Sequence, residues 1–290
     1  MQDVNPWLHR YAILVAIVAL AVIASGAVIT SVEVAARQSH AAVSLGTAES
    51  VHRLLGVAIT VLTLGISVWV LFETTPGWLR STAWCGVATL ALAAVLGWQT
   101  PPLSPKVGVF HALLSHLFLS VSAVIAVGTS SSWRRGPELV DGNAKPFLRP
   151  LVVTIPPVVF LQIALGAAFR HDVSGIMPHM TVAMGVAFLA LIGSSVILQN
   201  FPRPASLRHC ATALISTVLT QVCLGITAFL MLLLSAAGTS YFILATVGHV
   251  LVGAATLAAS VVMAMQVWRS VLPRDQARDA DVVSGPSSPV

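Results

Sequence analysis

Long, nearly uninterrupted runs of apolar residues dominate the pattern of this chain. A helix needs about 20 mainly apolar residues to cross the hydrocarbon core of a bilayer. Eight stretches meet this requirement: residues 11–31, 51–72, 82–99, 108–128, 150–169, 175–198, 209–235 and 241–268. The breaks between them carry proline, glycine and charged residues, which favour turns. The pattern therefore predicts an all-α integral membrane protein with eight transmembrane helices.

The composition agrees with a chain that is surrounded by lipid. Of the 290 residues, 57% are hydrophobic and 9% are charged, whereas soluble domains carry about 25% charged residues. The basic residues lie between the apolar runs, so the chain offers no nucleic-acid surface. Its three cysteines have no CxxC spacing, and no zinc or redox motif is readable. The first apolar run is too long for the core of a signal peptide, and we expect it to remain as a span.

Lysine and arginine are distributed unevenly between the two sides of the predicted bundle. If the N-terminus is inside, eleven basic residues fall on inner segments and four fall on outer ones, which are Arg37, Arg53, Lys106 and Arg170. The positive-inside rule then predicts that both termini are cytoplasmic. The absence of a transit-like leader favours a bacterial inner membrane over an organellar one.

The sequence also looks doubled. Spans one and five share a Gly-Ala step at Gly26 and Gly166, and spans three and seven share a Leu-Gly step at Gly97 and Gly225. The even-numbered spans each place a histidine near their start. These parallels, in the same order, predict two pseudo-repeated four-helix bundles. We expect an N-terminal bundle over 1–129, a cytoplasmic linker over 130–149, a C-terminal bundle over 150–270 and a disordered tail over 271–290.

Histidine carries the candidate chemistry. Four of the nine histidines lie in the outer part of the even-numbered spans: His52, His111, His179 and His249. Ionisable groups inside spans are costly and usually functional. Two imidazoles that face each other in a four-helix bundle suit six-coordinate haem iron, so the pattern predicts two haem groups with one histidine pair in each bundle. The competing interpretation is four interfacial, hydrogen-bonded side chains.

Several other residues accompany these candidate ligands. His116 and His171 are the fallback ligands in the first and second halves. Glu49 precedes His52 by three positions and shares its helix face. Its carboxylate could move a proton beside a haem, or it could simply favour the helix N-terminus, and the sequence leaves both interpretations open. The outer cations Arg53, Lys106 and Arg170 could pair with haem propionates. We expect the glycines to allow close helix packing.

Taken together, these motifs resemble the haem A synthase family across roughly residues 10–270. The segment Glu49-Ser-Val-His52-Arg53 is similar to the Glu-x-x-His-Arg signature of the family. Three further segments resemble its fourth span, the opening of its second half and its last span: 110–118, 162–171 and 248–260. The chain differs from many members because its first outer loop has no cysteine pair.

The resemblance implies an activity and a set of roles. The protein would oxidise the C8 methyl of haem O to a formyl group and so make haem A for cytochrome oxidase assembly. His52 and His111 would hold the substrate haem, His179 and His249 would hold a haem b cofactor, and Glu49 would be the catalytic carboxylate. A haem O synthase would supply the substrate, and an unidentified donor would supply electrons.

Two other classes of function remain open from the sequence. The first is a di-haem membrane cytochrome that carries electrons and modifies no haem. The second is a transporter or assembly factor that uses no haem. A homo-oligomer is compatible with all three interpretations.

Overall fold

The computed structural model describes residues 5–39, 45–98, 104–142, 147–234, 236 and 238–272. Within these ranges the chain is almost entirely helical, and eight helices are long and apolar enough to cross a membrane. This finding confirms the predicted all-α, multi-span fold. His40, Lys145 and the part of the predicted tail from residue 273 onward lie outside the described residues.

Seven of the eight long helices are longer than the apolar stretches that predicted them, and the one predicted at 175–198 has the predicted length of 24 residues. The long helices are α1 (Pro6–Ser39), α2 (Gly46–Phe72), α3 (Gly77–Gly97), α4 (Pro105–Gly128), α6 (Leu148–Arg170), α7 (Met177–Asn200), α8 (Ala205–Leu233) and α9 (Ser240–Ser270). Helix α5 (Ser131–Arg134) and two short strands, β1 (Val140–Asp141) and β2 (Val271–Leu272), complete the described elements. Hydropathy marks only the lipid-facing core of a helix, and the backbone bonds continue through its polar ends.

The long helices pack as two rings of four. In the first ring, α1 contacts α2 and α4, and α3 contacts α2 and α4; in the second, α6 contacts α7 and α9, and α8 contacts α7 and α9. The rings meet where α9 packs against α1 and α4, and where α4 packs against α6. Each ring has its own buried core, which includes Ile59 and Ile66 in the first and Ile155 and Leu214 in the second.

One end of the molecule is closed by the segment between the rings. The sequence predicts only a linker there, but Val140 pairs with Val271 and Asp141 with Leu272 in a short parallel ladder. Arg269 lies 4.0 Å from the ring centroid of Trp133 and donates to its carbonyl oxygen at 2.6 Å. Hydropathy could not predict these contacts because they depend on where α9 ends relative to the linker.

The opposite end, which holds the four candidate histidines and is called here the histidine end, is also tied across the rings. Arg170, the last residue of α6, donates to the carbonyl of Ala27 and to the hydroxyls of Thr30 and Ser31 in α1. Thr246 of α9 donates to Ser31 Oγ at 2.8 Å. These bonds satisfy polar groups between apolar helices, where an unpaired group would be expensive.

Burial within α8 generates a stability prediction. Leu214 is 0% exposed, whereas Leu219 on the same helix is 52% exposed. Leu214→Ala should lower the free energy of unfolding by about 2–5 kcal/mol because it leaves a cavity in the core. Thermal or denaturant unfolding in detergent measures this loss.

Leu219→Ala is the matched control, since it removes the same atoms from a lipid-facing position. We expect it to change the free energy of unfolding by less than about 1 kcal/mol. Equal destabilisation by the two variants would contradict the burial described for α8.

Candidate functional site

The four candidate histidines come together as two pairs. His52 on α2 and His111 on α4 have ring centroids 6.1 Å apart, with their planes at 70°. His179 on α7 and His249 on α9 also have centroids 6.1 Å apart, with their planes at 80°. Each ring of helices therefore contributes one pair, from its second and fourth members. We refer to His52 and His111 as the first pair and to His179 and His249 as the second pair.

The separation within each pair is suited to a shared metal ion. If one imidazole nitrogen binds on each side of a metal with bonds of about 2.0 Å, the two ring centres lie about 6 Å apart. Both observed separations are close to this value. Crossed ring planes do not oppose such an arrangement, because the two ligands bind opposite faces of the metal. The donor set therefore fits an ion with two axial nitrogens.

A glycine on the preceding helix makes room for each of the four histidine rings. A Cβ atom built on Gly97 would lie 2.6 Å from His111 Cε1, and one built on Gly225 would lie 2.9 Å from His249 Cε1. Gly26 and Gly166 face His52 and His179 in the same way, at 3.2 and 2.9 Å. Any larger residue would displace the ring. These glycines therefore admit an imidazole against the backbone, a more specific role than the helix–helix packing expected from the sequence.

The same close approach anchors the Nδ1 atoms. His111 Nδ1 lies 2.8 Å from the carbonyl oxygen of Ala93, and His249 Nδ1 lies 3.2 Å from that of Gln221. His179 Nδ1 lies 3.1 Å from the carbonyl oxygen of Gln162. Each carbonyl belongs to the residue four positions before the facing glycine, one helical turn away. The absent glycine side chain is what lets the ring reach this carbonyl.

His52 uses a serine for the same purpose. Ser25 Oγ lies 2.8 Å from His52 Nδ1 and donates at 2.8 Å to the carbonyl oxygen of Val22, which is again four residues before the facing glycine. Because the serine proton is committed to Val22, the serine oxygen accepts from His52 Nδ1–H. At His52, His111 and His249 the proton is thereby assigned to Nδ1, which leaves Nε2 with the lone pair that a metal needs. His179 Nδ1 lies 3.1 Å from the Gln162 carbonyl oxygen and 2.9 Å from the Gln162 amide nitrogen, so these contacts fix the position of its ring and not its proton.

The second pair has additional polar neighbours. Gln221 Nε2 lies 3.1 Å from His249 Nε2, and Gln162 Nε2 lies 2.9 Å from the carbonyl oxygen of His179. The Oε1 atoms of both glutamines are buried and have no hydrogen-bond partner among the described residues. The positions that correspond to them in the first pair are Val22 and Ala93, which carry no polar side-chain atom. Neither glutamine was assigned a role from the sequence.

One cavity of about 530 Å³ joins both pairs at the histidine end. This size lies within the range of about 300–1,000 Å³ that is usual for cofactor and ligand sites. Its lining includes all four histidines, together with Glu49, Arg53 and Arg170. Lys106 is exposed and does not line it. Of the three outer cations predicted to pair with propionates, Arg53 and Arg170 therefore line the cavity, as Glu49 does, and Lys106 does not.

Carboxylates reach this cavity from two helices. Glu49 lies in the first turn of α2 and lines the cavity, so its position agrees with both interpretations left open by the sequence. Glu33 of α1 is half-buried and lines the same cavity, and the charges of Glu49, Arg37 and Arg170 act on it. Glu33 was not predicted as a site residue, although a carboxylate inside an apolar run is itself a signal of function.

The two fallback histidines occupy different surroundings from those expected. His171 follows α6 in the second half of the chain, but its imidazole fills the space beside Gly108 of α4, which belongs to the first ring of helices. It is therefore not placed to serve as a reserve ligand for the second pair. His116 is buried, with Nδ1 2.7 Å from the carbonyl oxygen of Ala112 on its own helix.

The four candidate histidines form pairs and not larger groups. Among the described residues, no group of three or more His, Cys, Asp or Glu side chains is placed to hold a bare metal ion. Structural and catalytic zinc sites usually take three or four protein ligands. Each histidine pair could supply two of the ligands of a metal ion.

Comparison with known proteins adds no family to this geometry. No family model matches the sequence, and no characterised protein matches it either. The candidate function therefore depends on the residues and contacts described above.

The surroundings of His171 generate a pH prediction. Burial, together with the nearby charges of Arg170, Arg37 and His111, lowers its pKa from 6.5 to about 4, while the charge of Asp172 opposes the shift. The imidazole should therefore stay neutral at pH 5. As the pH falls from about 6.5 towards 4, the unfolded chain takes up this proton before the folded protein does, so the folded state should lose stability.

Two measurements check this expectation. NMR of histidine-labelled protein in detergent should show an imidazole signal that titrates near pH 4 in the unsubstituted protein and is missing in His171→Gln. The melting temperature of His171→Gln should depend less on pH than that of the unsubstituted protein between pH 4 and 6.5. A His171 titration near pH 6.5 would contradict the described burial.

Proposed function

We propose that this protein binds two haem groups and oxidises one of them as a haem A synthase-like enzyme. The observation that carries the proposal is the pair of matched imidazole sets. Each pair has ring centres 6.1 Å apart. The Nδ1 contacts of His52, His111 and His249 leave the Nε2 atoms of these three rings unprotonated. Bound haem would supply redox chemistry at iron, and the protein would supply ligands, orientation and a dry cavity.

In this proposal the two pairs have different tasks. His52 and His111 would hold haem O as substrate, and His179 and His249 would hold haem b as a resident cofactor. The assignment comes from the resemblance to the haem A synthase family. The cavity that both pairs line supports it, because two haems in one cavity could exchange electrons over a short distance.

Glu49 is the proposed catalytic carboxylate. It lines the cavity on the same helix as His52, one turn before it. A carboxylate there could accept or return protons during two successive hydroxylations of the C8 methyl. Each hydroxylation would use one dioxygen, two protons and two electrons from the donor and release one water, and the resulting hydrated aldehyde would lose water to give the formyl group. Arg53 and Arg170 line the same cavity and would pair with the anionic propionates.

The wider setting is also part of the proposal. The protein would lie in a bacterial inner membrane with both termini cytoplasmic, take haem O from a haem O synthase and receive electrons from an unidentified donor. Its product would serve cytochrome oxidase assembly. The distribution of lysine and arginine supports the orientation.

A di-haem electron-transfer cytochrome is the second candidate. The near-identity of the two pairs favours it, since both have the same ring separation and the same glycine and carbonyl arrangement. A carrier needs two similar haems and no carboxylate, so Glu49 distinguishes the two candidates.

The first experiment tests Glu49→Gln in cells that make haem O. Under the enzyme proposal, haem A should fall to background while both haems remain bound, because the substitution removes a proton acceptor and keeps the shape. Reversed-phase analysis of extracted haems, beside a reduced-minus-oxidised spectrum, measures both quantities.

Glu138→Gln, at an exposed carboxylate away from the cavity, is the control and should leave haem A unchanged. Haem A formation by Glu49→Gln at the unsubstituted level would remove the proposed role of Glu49. A protein that binds both haems but makes no haem A even without substitution would instead favour the electron carrier.

The second experiment tests Gly97→Ala. The new methyl would lie 2.6 Å from His111 Cε1 and force the ring off the carbonyl of Ala93. Haem affinity at the first pair should fall by about 10- to 100-fold, as for other changes that disturb the anchoring of a metal-binding histidine. Haem content per protein should drop from two towards one.

Gly77→Ala, on the same helix, places its methyl in open space and is the matched control. Pyridine haemochrome assays normalised to protein give the haem content of both variants. Two retained haems in Gly97→Ala would show that the first pair does not bind through His111 as described.

A further inference from the structure

The two histidine pairs differ in the residues that supply their anchoring carbonyls. In the first pair these residues are Val22, reached through a serine, and Ala93. In the second pair they are Gln162 and Gln221. Each position lies one turn before the glycine that faces a histidine ring. The second pair alone therefore has a carboxamide beside each of its rings.

Gln221 contacts both nitrogen atoms of one imidazole. Its backbone carbonyl oxygen lies 3.2 Å from His249 Nδ1, and its side-chain Nε2 lies 3.1 Å from His249 Nε2. A carbonyl can only accept and an amide nitrogen can only donate, so the two bonds require the proton on Nδ1 and the lone pair on Nε2. One residue thus fixes the tautomer that can bind a metal.

Gln162 holds the partner histidine in a related way. Its carbonyl oxygen lies 3.1 Å from His179 Nδ1. Its side-chain Nε2 lies 2.9 Å from the His179 carbonyl oxygen, 2.9 Å from His179 Nδ1 and 3.4 Å from His179 Nε2. The amide therefore fixes both the backbone and the ring of this residue. Val22 and Ala93 have no side-chain group that could do the same for the first pair.

The other end of each carboxamide is without a partner. Gln162 Oε1 and Gln221 Oε1 are buried and unpaired among the described residues, and both glutamines line the shared cavity. A buried acceptor that lacks a donor is costly, and such atoms usually mark a bound water or a ligand that carries a donor. Because haem propionates only accept, a water would pair with these two oxygens, whereas a metal on His249 Nε2 would release the Gln221 amide N–H to donate to a propionate.

We propose that Gln162 and Gln221 are positioning residues that make the second pair the tighter of the two haem sites. They hold His179 and His249 ready for iron and add polar contacts to the bound group, so that its haem stays resident. The apolar Val22 and Ala93 leave the first pair with weaker retention, which suits a haem that must enter and leave. This inference rests on the proposed binding of haem by both pairs.

The test uses full-length protein with only one pair intact. His52→Ala with His111→Ala leaves the second pair, and His179→Ala with His249→Ala leaves the first. Each protein is loaded with haem b in detergent, and transfer of haem to an excess of a haem-scavenging apoprotein gives the dissociation rate. The second pair should release haem about 10- to 100-fold more slowly than the first.

Gln162→Met with Gln221→Met, made in the protein that keeps only the second pair, should raise its dissociation rate by about 10- to 100-fold. Methionine keeps the length of the side chain and removes the amide. Gln199→Met in the same protein makes the same substitution at an exposed position outside the cavity; it is the matched control and should leave the rate unchanged. The low-spin ferric EPR spectrum, which reports the orientation of the two imidazoles, should change in the glutamine variant alone.

If the methionine variant does not fold, Gln221→Asn serves instead, since its amide is one methylene too short to reach His249, and the rate should again rise. Dissociation rates that are equal for the two pairs, or unchanged in the glutamine variants, would overturn the inference while haem binding stands. If neither single-pair protein shows a bis-imidazole haem spectrum, the proposed function itself fails.

Discussion

The site depends on one recurring interaction, the hydrogen bond from a histidine Nδ1–H to a helix carbonyl that a glycine leaves accessible. His111 and His249 make it directly, at 2.8 and 3.2 Å, and His52 makes it through Ser25. His179 Nδ1 lies 3.1 Å from the corresponding carbonyl and 2.9 Å from the Gln162 amide nitrogen. In lipid, an imidazole without a partner would be expensive to bury. The bond offsets that cost and at the same time orients the ring, so the stability of the bundle and the chemistry of the site have the same origin.

This interaction also explains why the two rings of helices resemble each other so closely. A glycine on an odd-numbered span and a histidine on the next span must meet at the same depth, and the pairing is repeated four times. Around this shared frame the side chains differ. Glu49 and Arg53 accompany the first pair, whereas Gln162 and Gln221 accompany the second. A duplicated scaffold can thereby hold two similar groups for unlike purposes.

Because the two rings of helices are in contact, both histidine pairs line the same cavity. Helix α9 packs against α1 and α4, and Arg170 bonds from the end of α6 to three oxygen atoms of α1. The His171 imidazole lies within the first ring of helices, beside Gly108. The first pair is therefore enclosed partly by residues of the second half, and neither half alone presents the whole lining of the cavity.

The sequence by itself determined the eight spans, because lipid demands long apolar helices whatever their neighbours are. It also identified the four histidines and four glycines, whose repetition survives as a pattern of residue types. Only the tertiary structure decided that each glycine faces a ring, that Glu33 lines the cavity and that His171 belongs to the first ring. These facts depend on how the helices are rotated and which of them touch. For Gln162 and Gln221, the sequence shows part of the arrangement, since each precedes its glycine by four residues. Their contacts with His179 and His249 became known only from the distances in the tertiary structure.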